Sequence, residues 1–230
     1  MLWWKAWREI KWRFAFALAT VLAGILAAYA RNGPAYADTN TLLLAVSLMW
    51  LISAGLLAGS GVKTQDPLQA GKGLNGSTQF TLSLPVSRLR LVYVRANVGL
   101  AAMVAMMVIS TIAAMLLFPN IRARFSATDL AMWIVTAACC GAAFHAISIL
   151  TSMVLSDVWQ MWAAFLIVGA LKALSVLFAL PAQWDVFDAL VHASPLIKHS
   201  LPWPAILISL VVSGVIFRVA VKIAQTREFC

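Results

Sequence analysis

The sequence predicts an all-α membrane protein with six transmembrane helices. Hydrophobic residues make up 63% of the 230 residues and charged residues only 11%, whereas a soluble domain has about 45–50% and about 25%. The apolar residues fall in long runs, and a run of about 20 is enough to cross a bilayer as a helix. Six such runs and their connections use the whole chain, so we expect a single transmembrane domain over residues 1–230.

The six spans and their orientation follow from the hydrophobic runs and from the basic residues between them. Most of the 17 Lys and Arg residues lie before the first run, between the second and third runs, or at the end of the last one. Loops rich in Lys and Arg stay in the cytoplasm, so we expect both termini there. The predicted spans are 14–30, 42–62, 97–118, 130–155, 158–180 and 203–224.

Residues 1–13 predict a separate amphipathic helix at the cytoplasmic membrane interface. Large apolar side chains recur there at helical spacing and share one face, opposite the basic residues: Trp3, Trp7, Ile10 and, just beyond, Phe14. A helix with this pattern lies in the headgroup region, where Trp3 and Trp7 would anchor it. The alternative is a simple basic flank of the first span. Arg218 and Lys222, near the end of the last span, are expected to anchor to lipid headgroups as well.

Two long connections stand out between these spans. Residues 181–202 predict a long external loop with apolar pieces, divided by Pro181, Pro195 and Pro202 into lengths that suit short re-entrant helices. Residues 63–96 are too polar for lipid and predict a long cytoplasmic loop. In its centre Ser77 or Thr78 can cap a short amphipathic helix that ends at Pro85. The apolar side of that helix consists of Phe80, Leu82 and Leu84.

The stretch from Gly76 to Arg88, read GSTQFTLSLPVSR, resembles the signature loop of type-2 ABC exporter permeases. In that family a Gly-Thr, a run of leucines and a Pro-Val-Ser-Arg lead into the third span. The span count, the entry helix, the orientation and the long external loop before the last span are also similar. The likeness therefore covers essentially the whole chain.

This resemblance implies an exporter subunit that works with other chains. The loop would form a coupling helix docked on a separate cytoplasmic ABC-type ATPase, and the permease would pair with a second permease chain, identical or paralogous. The family often has an acidic residue shortly before the Gly-Thr, and Asp66 is the candidate nearby. The residues expected to couple to the ATPase are Asp66, Gly76, Thr78, Phe80, Leu82, Leu84, Pro85 and Arg88.

ATP chemistry is expected on the partner chain. A phosphate-binding loop needs Gly-x-x-x-x-Gly-Lys followed by Ser or Thr, and Gly71-Lys72-Gly73 lacks both the earlier glycine and the hydroxyl. We therefore expect no catalytic residue and no bound cofactor in this chain, with ATP and Mg²⁺ held by the ATPase. The resemblance places the protein in a bacterial cytoplasmic membrane. The formal charge of +9 is expected to meet anionic lipid headgroups, because the basic residues flank apolar runs, and no nucleic acid is expected as a partner.

Two polar residues inside predicted spans are candidates for a substrate path. Lys172 is costly in hydrocarbon, by about 2.5–3.5 kcal/mol or more, so it should face protein or water. It would contact an anionic substrate or lipid headgroup, or else bond to neighbouring helices or extend to an interface. No acidic residue in the predicted spans is near enough to pair with it. His145 is either a hydrogen-bonded packing residue or a proton relay.

Weaker patterns in the sequence indicate other functional classes. Ser60 between two glycines, together with His145, could suggest an intramembrane serine protease, but the two residues lie at different depths. An ion-coupled secondary transporter is the main alternative, although acidic or broken-helix sites at mid-membrane are not evident. Gly55 and Gly59 predict close helix packing. Cys139 and Cys140 predict neither a disulfide framework nor a metal motif.

Overall fold

The computed structural model describes residues 2–34, 39–58, 87–154, 157–179, 181 and 183–226, and within these ranges the chain is helical, without strands. Single-turn or two-turn helices lie between some of the long helices. In chain order they are α1 (Leu2–Asn32), α2 (Thr39–Leu57), α3 (Arg88–Leu117), α4 (Pro119–Arg124), α5 (Ala127–Val154), α6 (Asp157–Leu177), α7 (Asp188–Val191), α8 (Pro195–Lys198) and α9 (Trp203–Thr226).

Four of the described helices are long and apolar enough to cross a membrane. Their apolar segments are Ile10–Asn32, Leu89–Leu117, Ala127–Ser152 and Trp203–Thr226. Helix α2 contributes a shorter apolar segment, Thr41–Leu57. These helices confirm the prediction of an all-α membrane protein, while the count of six spans stays a prediction.

Helix α1 differs from the predicted interface helix followed by a separate span. It continues without a break from Leu2 to Asn32, which at 1.5 Å per residue is about 46 Å. The region around residue 13 contains no glycine, proline or capping residue that would end a helix. Ala6, Ile10 and Ala17 are also buried on one continuous face. The predicted break between 1–13 and the first span was therefore wrong, because the packing face continues into the span, while the position of residues 1–13 at the membrane interface stays a prediction.

Several helix boundaries differ from those of the predicted spans, because local capping residues and prolines set where helices begin. Helix α3 begins at Arg88 rather than near residue 97, because the Ser87 hydroxyl accepts a hydrogen bond from the Arg90 amide at 3.3 Å and caps the helix. The short helix α4, started by Pro119, was not predicted. The segment 181–202 does contain two short helices, α7 and α8, and Pro195 begins the second.

Helix α5 is the centre of the bundle, with α2, α3, α6 and α9 packed against it. Two fully buried indoles, Trp50 of α2 and Trp133 of α5, lie with ring centroids 4.3 Å apart. Trp50 donates its indole N–H to Ser110 of α3 at 2.9 Å, and Trp133 donates to Ser47 of α2 at 3.1 Å. Each buried indole N–H thus has an acceptor, as an apolar interior requires.

The bundle has two ends that differ in composition. At one end α2 stops and α3 starts, and small or apolar side chains from four helices cluster: Ala58, Val92, Ala96, Ile149, Ala220 and Ala224. We call it the loop end, because residues 59–86 connect α2 to α3 there. At the other end, the ion-pair end, Tyr29 of α1 contacts Phe118 after α3 edge to face, and α7 and α8 cover the start of α5.

Candidate functional site

The predicted ATPase-coupling residues lie almost entirely outside the described residues. Arg88 is the one coupling candidate that the structure describes, and it is the first residue of α3. The remaining coupling candidates, and Ser60 and Gly59 with them, fall in the segment 59–86: Asp66, Gly76, Thr78, Phe80, Leu82, Leu84 and Pro85. The structure does describe the helix into which this segment leads.

Lys172 is placed near the end of α6, little more than one turn before Leu177. Its ammonium lies 2.8 Å from an Asp185 carboxylate oxygen and 3.1 Å from an Asp188 oxygen, and its side chain is about one third exposed. The ammonium also lies 5.9 Å from the centroid of the Phe187 ring. Lys172 is thus tied to the segment before α9 by two carboxylates.

Asp185 is the centre of this cluster. Its residue is 5% exposed, and it accepts hydrogen bonds from Lys172, from the Ser175 hydroxyl and, at 2.7 Å, from the Phe187 amide. Burial raises the pKa of the Asp185 carboxyl, but these hydrogen bonds outweigh it and hold the pKa below its ordinary value of 3.8. The carboxylate is therefore ionised and fully used in holding α6 to the start of α7.

These partners of Lys172 were not predicted, because they lie outside the predicted spans. The chain reverses direction after α6, where Ala179 adopts a left-handed conformation with φ of 46°. The Trp184 amide then donates to the Pro181 carbonyl at 2.8 Å, and Asp185 returns alongside α6. The available sequence signal for this contact was Pro181, which ends a helix and favours a turn.

A second polar contact ties the same segment to α5. His199, the left-handed residue that ends α8, places Nδ1 3.0 Å from a carboxylate oxygen of Asp129. Asp129 also accepts from the Ser126 hydroxyl at 2.7 Å and from the Ser126 amide at 3.1 Å, while its own amide donates to the Ser126 hydroxyl at 3.1 Å. This reciprocal capping box holds the start of α5.

A small cavity of about 150 Å³ lies between α2, α5 and the segment that carries α7 and α8. Its walls are mostly apolar, and Trp133 of the buried indole pair forms part of them together with Leu43 and Leu190. His192 and Ser194 add polar groups. The segment that Lys172 and Asp129 hold to the bundle thus forms one wall of the cavity.

His145 lies closer to the opposite end of the bundle. The residue is 2% exposed, and its ring nitrogens face two backbone carbonyls, Nδ1 at 3.1 Å from Ala54 O and Nε2 at 3.2 Å from Ala96 O. It therefore packs between α2, α3 and its own helix α5. A Cβ atom added to Gly99 would lie only 2.5 Å from the ring and 2.5 Å from the Leu57 carbonyl, so glycine is required at that position.

The structure does not bring the two predicted path residues together. Lys172 contacts the segment at the ion-pair end, whereas His145 contacts the last turn of α2 and the early part of α3. Each is held by protein groups in the described structure. Gly55 fits its predicted packing role, because a Cβ there would meet the Ser148 hydroxyl of α5 at 3.1 Å.

The predicted lipid anchors are at the surface of the bundle. Trp3 and Trp7 are 56% and 36% exposed, and Trp7 contacts Phe14 at 5.7 Å between ring centroids. Arg218 and Lys222 are exposed on successive turns of α9. Among the described residues no group of three or more His, Cys, Asp or Glu could hold a metal ion.

Neither a protein-family model, nor a curated protein, nor a solved structure matches this chain.

Proposed function

We propose that the protein is the permease subunit of an ATP-driven exporter. Two such chains, identical or paralogous, would form the translocation path, and each would bind a cytoplasmic ABC-type ATPase through the predicted loop 63–96. The ATPase would hold ATP and Mg²⁺. In this proposal six helices, α1, α2, α3, α5, α6 and α9, cross a bacterial cytoplasmic membrane with both termini in the cytoplasm.

The observation that carries the proposal is the position of the motif between Gly76 and Arg88. The last residue of the motif, Arg88, is the first residue of α3, and Ser87 of the motif caps that helix. Val92 and Ala96 in the first turns of α3 pack with the ends of three other helices in the loop-end cluster. A force applied to the motif would therefore reach the bundle through packed side chains.

The opposite end supports the proposal because it is held closed by contacts that can be remade. Lys172 is about one third exposed and His199 about two thirds exposed by side chain. The His199 contact has an exposed partner and is worth little stability, as surface ion pairs are, whereas the Lys172 contacts include the buried Asp185 carboxylate. In the proposal this segment separates from α5 and α6 during export, which breaks these polar contacts and exposes the buried Leu190 and Leu196.

Purification and transport measurements test the function directly. The tagged protein should co-purify with an ATPase, and changing Phe80, Leu82 and Leu84 together to alanine should reduce ATP-dependent export by at least about tenfold, since each lost apolar contact is worth about 1.5–3 kcal/mol when buried. The matched control changes three exposed apolar residues of α9 to alanine: Leu207, Leu210 and Val211. Export by this control should match the unchanged protein.

An ion-coupled secondary transporter is the alternative that the same assay distinguishes. Transport in vesicles that persists without ATP and stops when the ion gradient is dissipated would favour it. Such a result, or full export by the triple alanine variant of the loop, would contradict the exporter proposal. Ion-coupled transporters usually bind the coupling ion near the middle of the membrane. The charged cluster around Lys172 lies near the end of α6 instead.

A further inference from the structure

The imidazole of His145 faces two hydrogen-bond acceptors and no donor in its described contacts. Nδ1 lies 3.1 Å from the carbonyl oxygen of Ala54, and Nε2 lies 3.2 Å from the carbonyl oxygen of Ala96. A neutral imidazole has one N–H group and one lone pair, whereas an imidazolium has two N–H groups. Only the protonated ring can therefore donate to both carbonyls at once.

The two carbonyls have unequal need of a donor. Helix α2 ends at Leu57, so Ala54 O is one of the last four carbonyls, which lack an amide partner in the next turn. The Ala58 amide donates to Gly55 O at 3.3 Å instead. Ala96 lies inside α3, where the helical ladder supplies an amide four residues later. A neutral His145 would therefore carry its proton on Nδ1 and point the Nε2 lone pair at Ala96 O.

The ring has little room to turn away from the second carbonyl. A Cβ atom on Gly99 would lie 2.5 Å from Cε1 and 3.0 Å from Nε2 of the ring, which shows how closely α3 approaches it. The same Cβ would lie 2.5 Å from the Leu57 carbonyl of α2. The lone pair and Ala96 O are thus pressed together by packing, and binding a proton turns this repulsion into a hydrogen bond.

We propose that His145 is a buried proton-binding site that ties three helices together when it is occupied. The imidazolium would donate to Ala54 O and Ala96 O and so link α2 to α3 through α5. The neutral ring would bond only to Ala54 O and leave α3 without this link. The inference concerns the geometry of the loop end and does not depend on the exporter proposal.

The ionisable groups on the surrounding helices are few. On α3 the nearest along the chain is Arg95, half-buried beside Ala96, and on α5 they are Cys139 and Cys140. Helix α2 has none between residues 39 and 57. On α9, which packs on α5, they are Arg218 and Lys222, both exposed. Within the described chain none of these groups forms a hydrogen bond with the ring.

Nitrogen NMR of the histidine side chains tests the proposal. In ¹⁵N-histidine-labelled protein in lipid nanodiscs, from about pH 4 to about pH 9 around the ordinary histidine range, both His145 nitrogens should be protonated at the acidic end. Only Nδ1 should be protonated at the basic end. The ¹³C resonance of the Ala96 carbonyl should shift with the charge of the ring, while that of Ala54 should change less.

Two sets of variants assign the nitrogen resonances to His145. His145→Gln, which keeps a donor but does not titrate, should remove the buried resonances. Replacing both exposed histidines, His192→Gln with His199→Gln, should leave the His145 resonances alone in the spectrum. Three results would each overturn the proposal. The ring could keep one charge state over the whole pH range, the neutral ring could be protonated on Nε2, or the Ala96 carbonyl resonance could stay unchanged when the ring changes charge.

Discussion

The two ends of the helix bundle are held together by different chemistry. At the ion-pair end, charged side chains tie a loop segment to two helices: Lys172 to Asp185 and Asp188, and His199 to Asp129. At the loop end, small residues allow helices to approach closely, and a buried imidazole faces backbone carbonyls.

The difference suggests how each end responds to force. Contacts of exposed side chains such as Lys172 and His199 can break and form again, because water solvates the separated groups, and the buried Asp185 is the strongest tie at this end. Close packing of alanines and glycines admits no such substitute, because a shift of less than 1 Å already produces a clash or a void. We therefore expect the loop end to transmit movement as a unit and the ion-pair end to open.

The largest effect should come from adding one methyl group at the loop end. Gly99→Ala would place a Cβ atom 2.5 Å from the Leu57 carbonyl, which is backbone and must move. We expect a loss of about 3 kcal/mol in the free energy of unfolding, measured by denaturant titration in detergent micelles. Gly214→Ala is the control, since its Cβ would meet nothing within 4 Å. Equal stability of the two variants would show that the helices at this end are not closely packed.

Removing the central carboxylate should be the largest change at the ion-pair end. Asp185→Asn leaves Lys172 with Asp188 alone and exchanges an ionised acceptor for an amide. We expect a loss of about 2 kcal/mol, since buried hydrogen bonds to charged groups are worth about 1.5–3 kcal/mol each but Lys172 is partly exposed. Asp188→Asn should cost less, because Asp188 is the more exposed carboxylate. A larger loss for Asp188→Asn than for Asp185→Asn would show that Asp188 is the central carboxylate of the cluster.

The contribution of Asp185 should depend on pH in a defined direction. The pKa of Asp185 is lowered in the folded protein, so the ionised carboxylate stabilises the fold. This stabilisation is fully present above the pKa of the unfolded chain, about 4. It is lost as the pH falls through the lower pKa of the folded protein. The difference in unfolding midpoint between the unchanged protein and Asp185→Asn should be constant near neutral pH and shrink under acid. A difference that grows under acid would contradict the lowered pKa.

The smallest effect should follow from the exposed contact at the start of α5. His199→Gln removes a side chain that is 64% exposed from the Asp129 carboxylate. Asp129 keeps its capping contacts with Ser126, so the loss in the free energy of unfolding should be small beside that of Asp185→Asn. Ser126→Ala, which removes the cap itself, should cost about 1 kcal/mol. If His199→Gln proves the more damaging, the pair rather than the cap holds this end.

Sequence patterns predicted the membrane class and the approximate position of each described long helix, because long apolar runs report directly on the surrounding solvent. They failed at α1, where a continuous buried face extended the helix beyond its polar start. They also failed at Lys172, whose carboxylate partners come from outside the predicted spans. The coupling residues between Gly76 and Pro85 stay a prediction, since they lie outside the described residues.

Composition and hydrophobic runs by themselves determined that this chain forms apolar helices fit for a membrane, because a helix satisfies its backbone within itself and needs no distant partner. Only the tertiary structure decided which polar groups meet. Asp185 returns to Lys172 through a left-handed turn at Ala179. His145 faces carbonyls of two other helices because Gly99 lets those helices approach. Such contacts depend on how helices are arranged in space, which spacing along one helix does not encode.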